Sequence, residues 1–320
     1  MSLKQHILVT GGAGFIGSHL VDALVLRGYD VTVLDKDAYA KIDTINSKAH
    51  VLNLDLTEPG TMEKIKFLKP DIMYHFAANA SVAKSVKDPL FDFKINYNAT
   101  AELLDVASKI GVKLFVFAST GGGLSSEYTV LPTPEHLICK PLSPYAIHKL
   151  ASEQLGEFYR VEKGVPFVAL RFANVYGPRQ SVTNGEANIV ATFADRMVKN
   201  EQTNINGTGR QTRDYVYVND VIDACLRVLD RPHVLGPINI GSGMELNVLQ
   251  IHQTMASYLG YEKVSEFRAA SPGEPMRSCL DVSKAHALLG WSPRVTFADG
   301  IARTLEWHLA RKKAMVAVAK

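Results

Sequence analysis

The feature that most constrains the fold is a glycine-rich turn near the N-terminus of this 320-residue chain. A run rich in β-branched and apolar residues, His6–Thr10, leads into Gly-Gly-Ala-Gly-Phe-Ile-Gly, and helical spacing begins at Phe15. Gly12, Gly14 and Gly17 form G-x-G-x-x-G, which permits a tight turn and lets the backbone approach a pyrophosphate at a helix N-terminus. The pattern predicts a strand–turn–helix unit that binds a dinucleotide.

The next strand-like run, Val31–Asp35, ends in an acidic residue. Asp35 can accept hydrogen bonds from both ribose hydroxyls of NAD, and it would repel the 2′-phosphate of NADP. Lys36 weakens that exclusion slightly. We therefore expect NAD as the cofactor. The alternative is a glycine turn in an α/β protein that binds no nucleotide, with Asp35 as a surface carboxylate.

Strand-like and helical segments alternate through the first half of the chain. Strands that are apolar throughout indicate a parallel sheet covered on both faces, with right-handed crossovers. The prediction is an α/β protein with a doubly wound parallel (Rossmann) sheet and a smaller mixed α/β C-terminal substrate lobe. The predicted strands are His6–Thr10, Val31–Asp35, His50–Leu56, Asp71–Ala78, Lys113–Ser119 and Pro166–Phe172, and the helices between them are Phe15–Arg27, Phe91–Ile110 and Pro144–Lys163.

The regular alternation of strand-like and helical segments ends after Gly177, and proline and glycine recur from there on. We expect a cofactor domain over residues 1–176 and a substrate lobe over 177–320, with a strand and helix from 210–240 able to return to the large sheet. The expected elements are helices at Gly185–Asn200, Asn219–Leu229, Asn247–Leu259, Ser283–Leu289 and Phe297–Lys312, and a strand at Thr212–Val218.

Composition excludes several classes of function. The formal net charge is only +3 and is spread along the chain, so no nucleic-acid footprint is expected. No apolar run reaches the roughly 18 residues of a membrane span, and the chain enters its first strand at once, without room for a signal peptide. Three cysteines at unrelated spacings indicate neither a disulfide framework nor a metal site. We expect a soluble, cytoplasmic protein that works on a small molecule.

A catalytic pattern lies in the middle of the chain. Tyr145 and Lys149 are four residues apart and share a helix face. A nearby cation favours the phenolate and lowers the pKa of the tyrosine, so that it can take an alcohol proton near neutral pH. Ser119 and Thr120 end the preceding strand, where a hydroxyl could orient that alcohol. The alternative is a solvated Tyr/Lys helix face.

The glycine turn, Ser119-Thr120 and Tyr145-x-x-x-Lys149 together resemble the extended short-chain dehydrogenase/reductase family, specifically NAD-dependent nucleotide-sugar epimerases of the UDP-glucose 4-epimerase type. The resemblance continues in family order through almost the whole chain. The supporting stretches are His75-Phe-Ala-Ala78, Leu170-Arg-Phe-Ala-Asn-Val-Tyr-Gly-Pro-Arg-Gln180, Arg213-Asp-Tyr-Val-Tyr-Val-Asn-Asp-Val221, Asn239-Ile-Gly-Ser-Gly243 and Leu288-Leu-Gly-Trp291.

The resemblance assigns roles by position. It implies that Thr120, Tyr145 and Lys149 are catalytic. The residues it assigns to NAD are Gly11, Gly14, Phe15, Ile16, Gly17, Asp35, Lys36, Asp55, Leu56, Ala77, Ala78, Asn96, Tyr145, Lys149 and Phe172. The residues it assigns to the nucleotide sugar are Asn174, Asn188, Ile189, Gly207, Arg213, Glu274, Arg277 and Ser278.

Departures from the family pattern concern the substrate side. Ser271 stands where the family usually has an arginine, and Arg277 could replace it if its side chain turns inward. Gly121–Ser126 is a glycine-rich loop where the family has Val-Tyr-Gly. A small residue at Ser278 resembles enzymes that accept N-acetylated sugars, so UDP-GlcNAc and UDP-GalNAc are expected beside UDP-Glc and UDP-Gal.

The resemblance implies inversion at C4 of a UDP-hexose through a transient 4-keto sugar, with NAD regenerated in each cycle. Dehydratases and decarboxylases of the family place carboxylates directly after the catalytic hydroxyl, where this chain has Gly121 and Gly122. A reductase or dehydrogenase with exchangeable NAD remains an alternative, and a regulatory NAD-binding protein without turnover is a more remote one. Kinship also implies a homodimer formed by the helices around Phe91–Ile110 and Tyr145–Lys163.

Overall fold

A seven-stranded parallel sheet forms the centre of the computed structural model, which describes residues 4–124, 130–182, 188–269 and 276–318. Its strand order is the third, second, first, fourth, fifth, sixth and tenth strands of the chain. The strands of the described residues are β1 (His6–Thr10), β2 (Asp30–Asp35), β3 (His50–Asn53), β4 (Ile72–His75), β5 (Leu114–Thr120), β6 (Phe167–Phe172), β7 (Asn174–Tyr176), β8 (Asn204–Asn206), β9 (Thr212–Tyr217), β10 (Gly236–Ile240), β11 (Glu245–Asn247) and β12 (Glu266–Arg268).

Helices cover both faces of this sheet and build much of the C-terminal part. The strands are buried between them, with Ile7 and Val9 in one core cluster and Leu8 in the other. The α-helices are α1 (Phe15–Leu26), α2 (Thr61–Leu68), α3 (Val82–Lys87), α4 (Pro89–Phe93), α5 (Ala99–Ile110), α6 (Pro144–Lys163), α7 (Ile189–Val198), α8 (Val218–Asp230), α9 (Val248–Leu259), α10 (Ser283–Leu289) and α11 (Phe297–Val318).

Every pairing in the large sheet is parallel, so all seven strands present their carboxyl ends at one edge. Ligands of open α/β sheets bind at that edge. The predicted doubly wound fold is confirmed, with a three-stranded sheet of β11, β9 and β7 and a two-stranded sheet of β12 and β8 in the C-terminal part. The predicted strand around Thr212 lies in the three-stranded sheet; the strand that returns to the large sheet is β10, which pairs with β6.

The glycine turn packs as tightly as the sequence pattern requires. Gly11 has a φ of +69°, and a Cβ there would lie 2.5 Å from the backbone nitrogen of Ala77. A Cβ on Gly17 would lie 2.2 Å from the carbonyl oxygen of Gly11. Neither neighbour can move aside, because both are backbone atoms. The two glycines therefore bring β1, α1 and the end of β4 together beside the sheet edge.

The helix predicted over Phe91–Ile110 is interrupted. Its first part is α4, its last part is α5, and Lys94–Asn98 between them has π-helical hydrogen bonding. Such bulges often occur at functional sites, because they release backbone groups for other partners. Here the carbonyl oxygen of Asn96 accepts hydrogen bonds from the hydroxyls of Thr100 and Ser152, at 2.9 and 3.0 Å.

Candidate active site

The carboxyl edge of β1 and β2 forms a cradle for an anion and a ribose. No side chain caps α1 and no acidic residue occupies its first turn, within the part of the chain that the structure describes. The free amides at this helix N-terminus suit a pyrophosphate. Asp35 closes the cradle: its carboxylate accepts hydrogen bonds from the backbone nitrogens of Ala13 (3.2 Å) and Asp37 (3.0 Å). The residues present therefore fit NAD.

The predicted adenosine side lies along the same edge. Asp55 follows β3, and one of its oxygens accepts hydrogen bonds from the backbone and hydroxyl of Thr57, at 2.8 and 2.9 Å. Leu56 is buried beside it, and Lys36 is exposed after β2. Four other residues predicted to bind NAD are half-buried: Ala77 and Ala78 after β4, and Phe15 and Ile16 at the start of α1. Gly14 is the N-cap of α1. Phe172 is the last residue of β6, and its ring lies against that of Phe76.

Tyr145 and Lys149 lie in the first turns of α6, as their spacing predicts. The Lys149 ammonium group is 6.0 Å from the centre of the Tyr145 ring. It lies over the Phe117 ring at 4.6 Å and donates a 2.9 Å hydrogen bond to the carbonyl oxygen of Ala118. Burial lowers the pKa of Lys149 to about 8, while the charges of Asp92 and Glu153 act in the opposite direction. The site thus holds a desolvated cation close to a phenol.

The two hydroxyls at the end of β5 have different surroundings. Ser119 is buried, and its hydroxyl donates to Oε1 of Glu153 at 2.5 Å. Glu153 also pairs with Arg171, whose Nη2 lies 2.7 Å from Oε2. Thr120 is half-buried, and its hydroxyl accepts a 3.3 Å hydrogen bond from the backbone nitrogen of Gly123. Thr120 is therefore the hydroxyl of the two that is not tied into the Glu153–Arg171 pair.

His75 is a buried neutral base beneath the site. Its Nδ1 lies 2.7 Å from the hydroxyl of Thr10, and its Nε2 lies 2.9 Å from that of Thr100. The Thr100 hydroxyl donates to Asn96, so it accepts from Nε2–H, and Nδ1 accepts from Thr10. Burial, with a smaller contribution from the charge of Lys149, lowers the pKa of His75 to about 3. His75 thus links β1, β4 and α5.

Asn96 is enclosed by protein groups. Its amide oxygen accepts from the backbone nitrogen of Asn79 at 2.9 Å, and its amide nitrogen donates to Oδ1 of Asp92 at 2.8 Å. Asp92 Oδ2 lies 2.6 Å from Nδ1 of His148, a residue of α6. Sequence reasoning missed Asp92 and His148. The signal available was the i, i+4 spacing of Asp92 and Asn96 and the histidine inside Tyr145-x-x-x-Lys149.

Four predicted substrate residues lie at the ends of β7, β8 and α7. Asn174 is the first residue of β7, and Gly207, with a φ of +65°, follows β8. Asn188 caps α7: its amide oxygen accepts from the backbone nitrogen of Ala191 at 3.2 Å, and its amide nitrogen donates to the carbonyl of Val175 at 2.7 Å. Ile189 is the first residue of that helix.

The remaining substrate positions lie on β9 and the strand-like segment beside it. Arg213 is half-buried on β9. Ser278 is buried, and a Cβ on Gly122 would lie 3.5 Å from its hydroxyl, which places Ser278 next to the glycine loop after Thr120. Arg277 is exposed and forms an ion pair with Glu245, with Nη2 and Oε2 2.5 Å apart. Glu274 and Ser271 lie outside the described residues.

Across residues 4–124, 130–182, 188–269 and 276–318, no group of three or more metal-ligating side chains comes together. No helix in those ranges is long and apolar enough to cross a membrane.

Comparison with known proteins agrees with this geometry. Residues 7–241 match the model of the NAD dependent epimerase/dehydratase family. A putative UDP-glucose 4-epimerase of Methanocaldococcus jannaschii is 38% identical over 301 residues, which span 94% of this chain and 97% of that protein. A UDP-glucose 4-epimerase of Thermotoga maritima, solved with UDP-glucose, is 41% identical with a TM-score of 0.92, covering 97% of this chain and 100% of that one.

A UDP-glucose 4-epimerase of Thermus thermophilus, solved with NAD, is 36% identical with a TM-score of 0.87, covering 95% of this chain and 99% of that one. Other similar structures are a UDP-N-acetylglucosamine 4-epimerase and a UDP-glucuronic acid 4-epimerase, and UDP-glucuronic acid decarboxylases are similar in sequence. The names of these relatives share a UDP-sugar and differ in the sugar and the reaction, and two of the structures contain NAD.

The fold and the site define an extended short-chain dehydrogenase/reductase enzyme with a Tyr–Lys pair and a dinucleotide cradle. The chain belongs to the NAD dependent epimerase/dehydratase family, and its cofactor is NAD, as the resemblance predicts.

Proposed function

We propose that the enzyme inverts C4 of UDP-glucose and UDP-galactose through a 4-keto intermediate. The observation that carries this is the grouping of Thr120, Tyr145 and Lys149 at the carboxyl edge of the large sheet, with Gly121 and Gly122 directly after the threonine. Water elimination or decarboxylation would need an acid–base group in addition to the tyrosine. Residues 121 and 122 offer none.

The proposed division of roles follows from the surroundings of each group. Tyr145, as the phenolate, takes the proton from the 4-hydroxyl, holds it as the neutral phenol while the 4-keto sugar exists, and then returns it to the sugar oxygen. Lys149 stabilises the phenolate form before the first of these steps and after the second. Thr120 donates to or accepts from the same sugar oxygen. NAD supplies the reversible hydride chemistry. Arg213, on β9, neutralises the diphosphate of the substrate as a charge-assisted donor.

We further propose that N-acetylated UDP-hexoses are substrates. Ser278 is small and lies beside Gly122, which has no side chain, so the wall formed by these two residues leaves room for a substituent larger than a hydroxyl. The similarity to a UDP-N-acetylglucosamine 4-epimerase supports this reading. Replacing Ser278 with tyrosine is expected to remove turnover of the acetylated sugars first.

Proton NMR of the anomeric region tests the reaction. Protein as purified, without added NAD, is incubated with UDP-glucose and with UDP-GlcNAc in separate tubes, and Tyr145→Phe is the inactive control. Appearance of the C4 epimer supports an epimerase that retains its cofactor. Conversion that requires added NAD(H), with net consumption, would instead indicate a reductase or dehydrogenase. No acetylated product beside rapid hexose turnover contradicts the Ser278 argument alone.

We also propose that the enzyme is a homodimer. Apolar side chains on α4 and α6 face solvent, although helix residues of this kind are ordinarily buried. Leu90 is 81% exposed, and Phe93, Ile147 and Phe158 are each more than 40% exposed. Because the four residues come from two adjacent helices, a second copy of the same face can cover them by two-fold symmetry.

A further inference from the structure

Three successive glycines, Gly121–Gly123, follow Thr120, the last residue of β5. None of the three has a φ in the left-handed region, so the backbone conformation does not require glycine there. At Gly121 the reason is space. A Cβ on Gly121 would overlap Cδ1 of Leu280 and would lie 2.8 Å from Cδ2 of the same side chain. Leu280 therefore fits in its place only because residue 121 has no side chain.

The end of this glycine loop contacts the proposed catalytic groups. A Cβ on Gly123 would lie 3.3 Å from Cβ of Ala146, the residue after Tyr145, and 3.3 Å from both Oγ1 and Cγ2 of Thr120. The backbone nitrogen of Gly123 also donates a 3.3 Å hydrogen bond to the hydroxyl of Thr120. A shift of the loop would therefore change the position and the direction of that hydroxyl.

Leu280 is a buried leucine that serves this loop rather than a core. It is 2% exposed, but it belongs to neither of the two core clusters formed by the described residues. Its two methyl groups lie instead beside Gly121. Protein interiors are packed as densely as crystals, so a neighbour cannot move into space that a leucine already fills. Leu280 therefore holds the first residue of the loop in place.

The backbone that carries Leu280 is fixed independently of its side chain. The backbone nitrogen of Thr133 donates to the carbonyl of Cys279 at 2.9 Å, and its carbonyl accepts from the backbone nitrogen of Asp281 at 3.0 Å. The backbone nitrogen of Leu280 donates to Oδ2 of Asp214, a residue of β9, at 3.3 Å. A change of the Leu280 side chain thus leaves these hydrogen bonds in place.

We propose that Leu280 is a positioning residue that holds Gly121–Gly123, and through this loop the hydroxyl of Thr120, at the carboxyl edge of the large sheet. Its side chain occupies the space that a side chain at position 121 would fill. A residue of the C-terminal part thereby fixes a group at the end of β5. The effect on turnover rests on the proposed function, in which Thr120 binds the reacting sugar oxygen.

A double-mutant cycle tests the contact between positions 121 and 280. Leu280→Ala opens a cavity into which the loop can relax, and Gly121→Ala places a methyl group where Leu280 lies. Each single variant should lower kcat for UDP-glucose about tenfold, with a smaller change in KM, because small displacements of a catalytic group slow a reaction strongly. The double variant has room for the new methyl group and should recover to within about threefold of the wild type.

Two kinetic outcomes would overturn the proposal. One is wild-type kcat in Leu280→Ala. The other is a double variant in which the two single losses multiply, to about a hundredfold. If an alanine variant does not fold, Leu280→Val, which shortens the side chain by one carbon, decides in its place. A lower kcat in that variant supports the proposal, and an unchanged kcat overturns it.

The matched control is Leu289→Ala, which makes the same change at a buried leucine of α10. Leu289 has no exposed surface and belongs to a core cluster. This variant should lower the melting temperature, as Leu280→Ala does, but should keep the wild-type kcat well below that temperature. A comparable loss of kcat in the control would show that general destabilisation explains both results, and it would overturn the proposal.

NMR of protein labelled with ¹³C at the threonine methyl groups gives a readout that does not need turnover. Thr120→Ser assigns the Thr120 signal by removing its methyl group. Leu280→Ala should shift this signal, the double variant should return it toward the wild type, and Leu289→Ala should leave it in place. An unmoved signal in folded Leu280→Ala would overturn the proposal. If the wild type shows no epimerase activity, the proposed function fails, but this comparison still tests whether Leu280 holds Thr120.

Discussion

At the scale of single residues, the adjacent hydroxyls at the end of β5 have different hydrogen-bond partners. Successive side chains of a strand point to opposite faces. Ser119 therefore reaches Glu153 under α6, and Thr120 stays beside the glycine loop. From the sequence alone, two neighbouring hydroxyls cannot be told apart, because the distinction depends on which group one of them contacts in the folded protein.

This difference predicts the order of two variants. Thr120→Ala should lower kcat by roughly 10²-fold or more, as expected for loss of a group that binds the reacting oxygen. Ser119→Ala should lower kcat less and lower the melting temperature more, because it leaves Glu153 with one donor fewer in a buried place. Steady-state kinetics and thermal unfolding measure both. Equal kinetic losses would contradict the assignment of Thr120.

His75 predicts a pH dependence of stability. Its pKa is near 6.5 when unfolded and about 3 when folded, so the unfolded chain binds a proton between these values and the folded protein does not. Stability is complete above pH 6.5 and falls as the pH decreases. The loss attributable to His75 is about 2 kcal/mol between pH 7 and pH 5.

Urea unfolding at the two pH values measures this difference in wild type and in His75→Gln. The variant is expected to be less stable at pH 7, because an amide fits the Thr10–Thr100 gap imperfectly, but to lose about 2 kcal/mol less on acidification. Parallel losses in the two proteins would show that His75 does not carry the dependence.

Residue-level prediction from sequence succeeded where spacing along one element determines the geometry. Tyr145 and Lys149 are four apart on α6, and Asp35 ends β2, so both placements follow from local periodicity. Asp92 and His148 are 56 residues apart, and their contact exists only because α4 and α6 are packed together. Nothing in the local pattern of either residue indicates its partner.

At the scale of elements, the two ends of α1 predict a contrast between two glycines, Gly17 and Gly28. A Cβ on Gly17, at the start of the helix, overlaps the carbonyl oxygen of Gly11, whereas Gly28, just after it, has open space and a φ of +85°. Gly17→Ala should distort the cradle and remove most of the NAD that copurifies. Gly28→Ala should cost only about 1 kcal/mol of stability through its backbone conformation.

Quantification of NAD released from the denatured proteins checks this contrast, with melting temperatures as the companion measurement. Wild-type NAD content in Gly17→Ala would show that the turn can relax. Loss of NAD in Gly28→Ala would show that general destabilisation, rather than the cradle, controls retention.

The seven predicted strands end within three residues of the observed ones, and six of them lie in the large sheet, where buried parallel strands are uniformly apolar. The strands β7, β8, β10, β11 and β12 were not predicted. The helix over Phe91–Ile110 was predicted as continuous because its apolar spacing runs on through the π-helical turn. The spacing of apolar residues does not reveal the extra residue of a π-helical turn, because the side chain buried there, that of Asn96, is polar and is buried by contacts with other elements. The short helices α2 and α3 were missed for lack of length.

At the scale of the whole molecule, the exposed apolar face predicts how assembly can be broken. Phe158→Glu places a charge in the proposed interface and should convert a dimer to a monomer in light scattering after size exclusion. The matched control is Phe67→Glu on α2, where a phenylalanine is 91% exposed away from that face. A wild-type monomer, or dissociation by the control variant alone, would contradict the proposed dimer.

The pairing of β10 with β6 in the large sheet has a consequence for the chain while the ribosome is still synthesising it. The edge of β6 stays unpaired until residues 236–240 have left the ribosome, although β7 and β9 are already made by then. A nascent chain halted before that point carries an open parallel edge, which is a template for aggregation. We therefore expect chaperones to engage this chain chiefly between the emergence of residue 172 from the ribosome and that of residue 240.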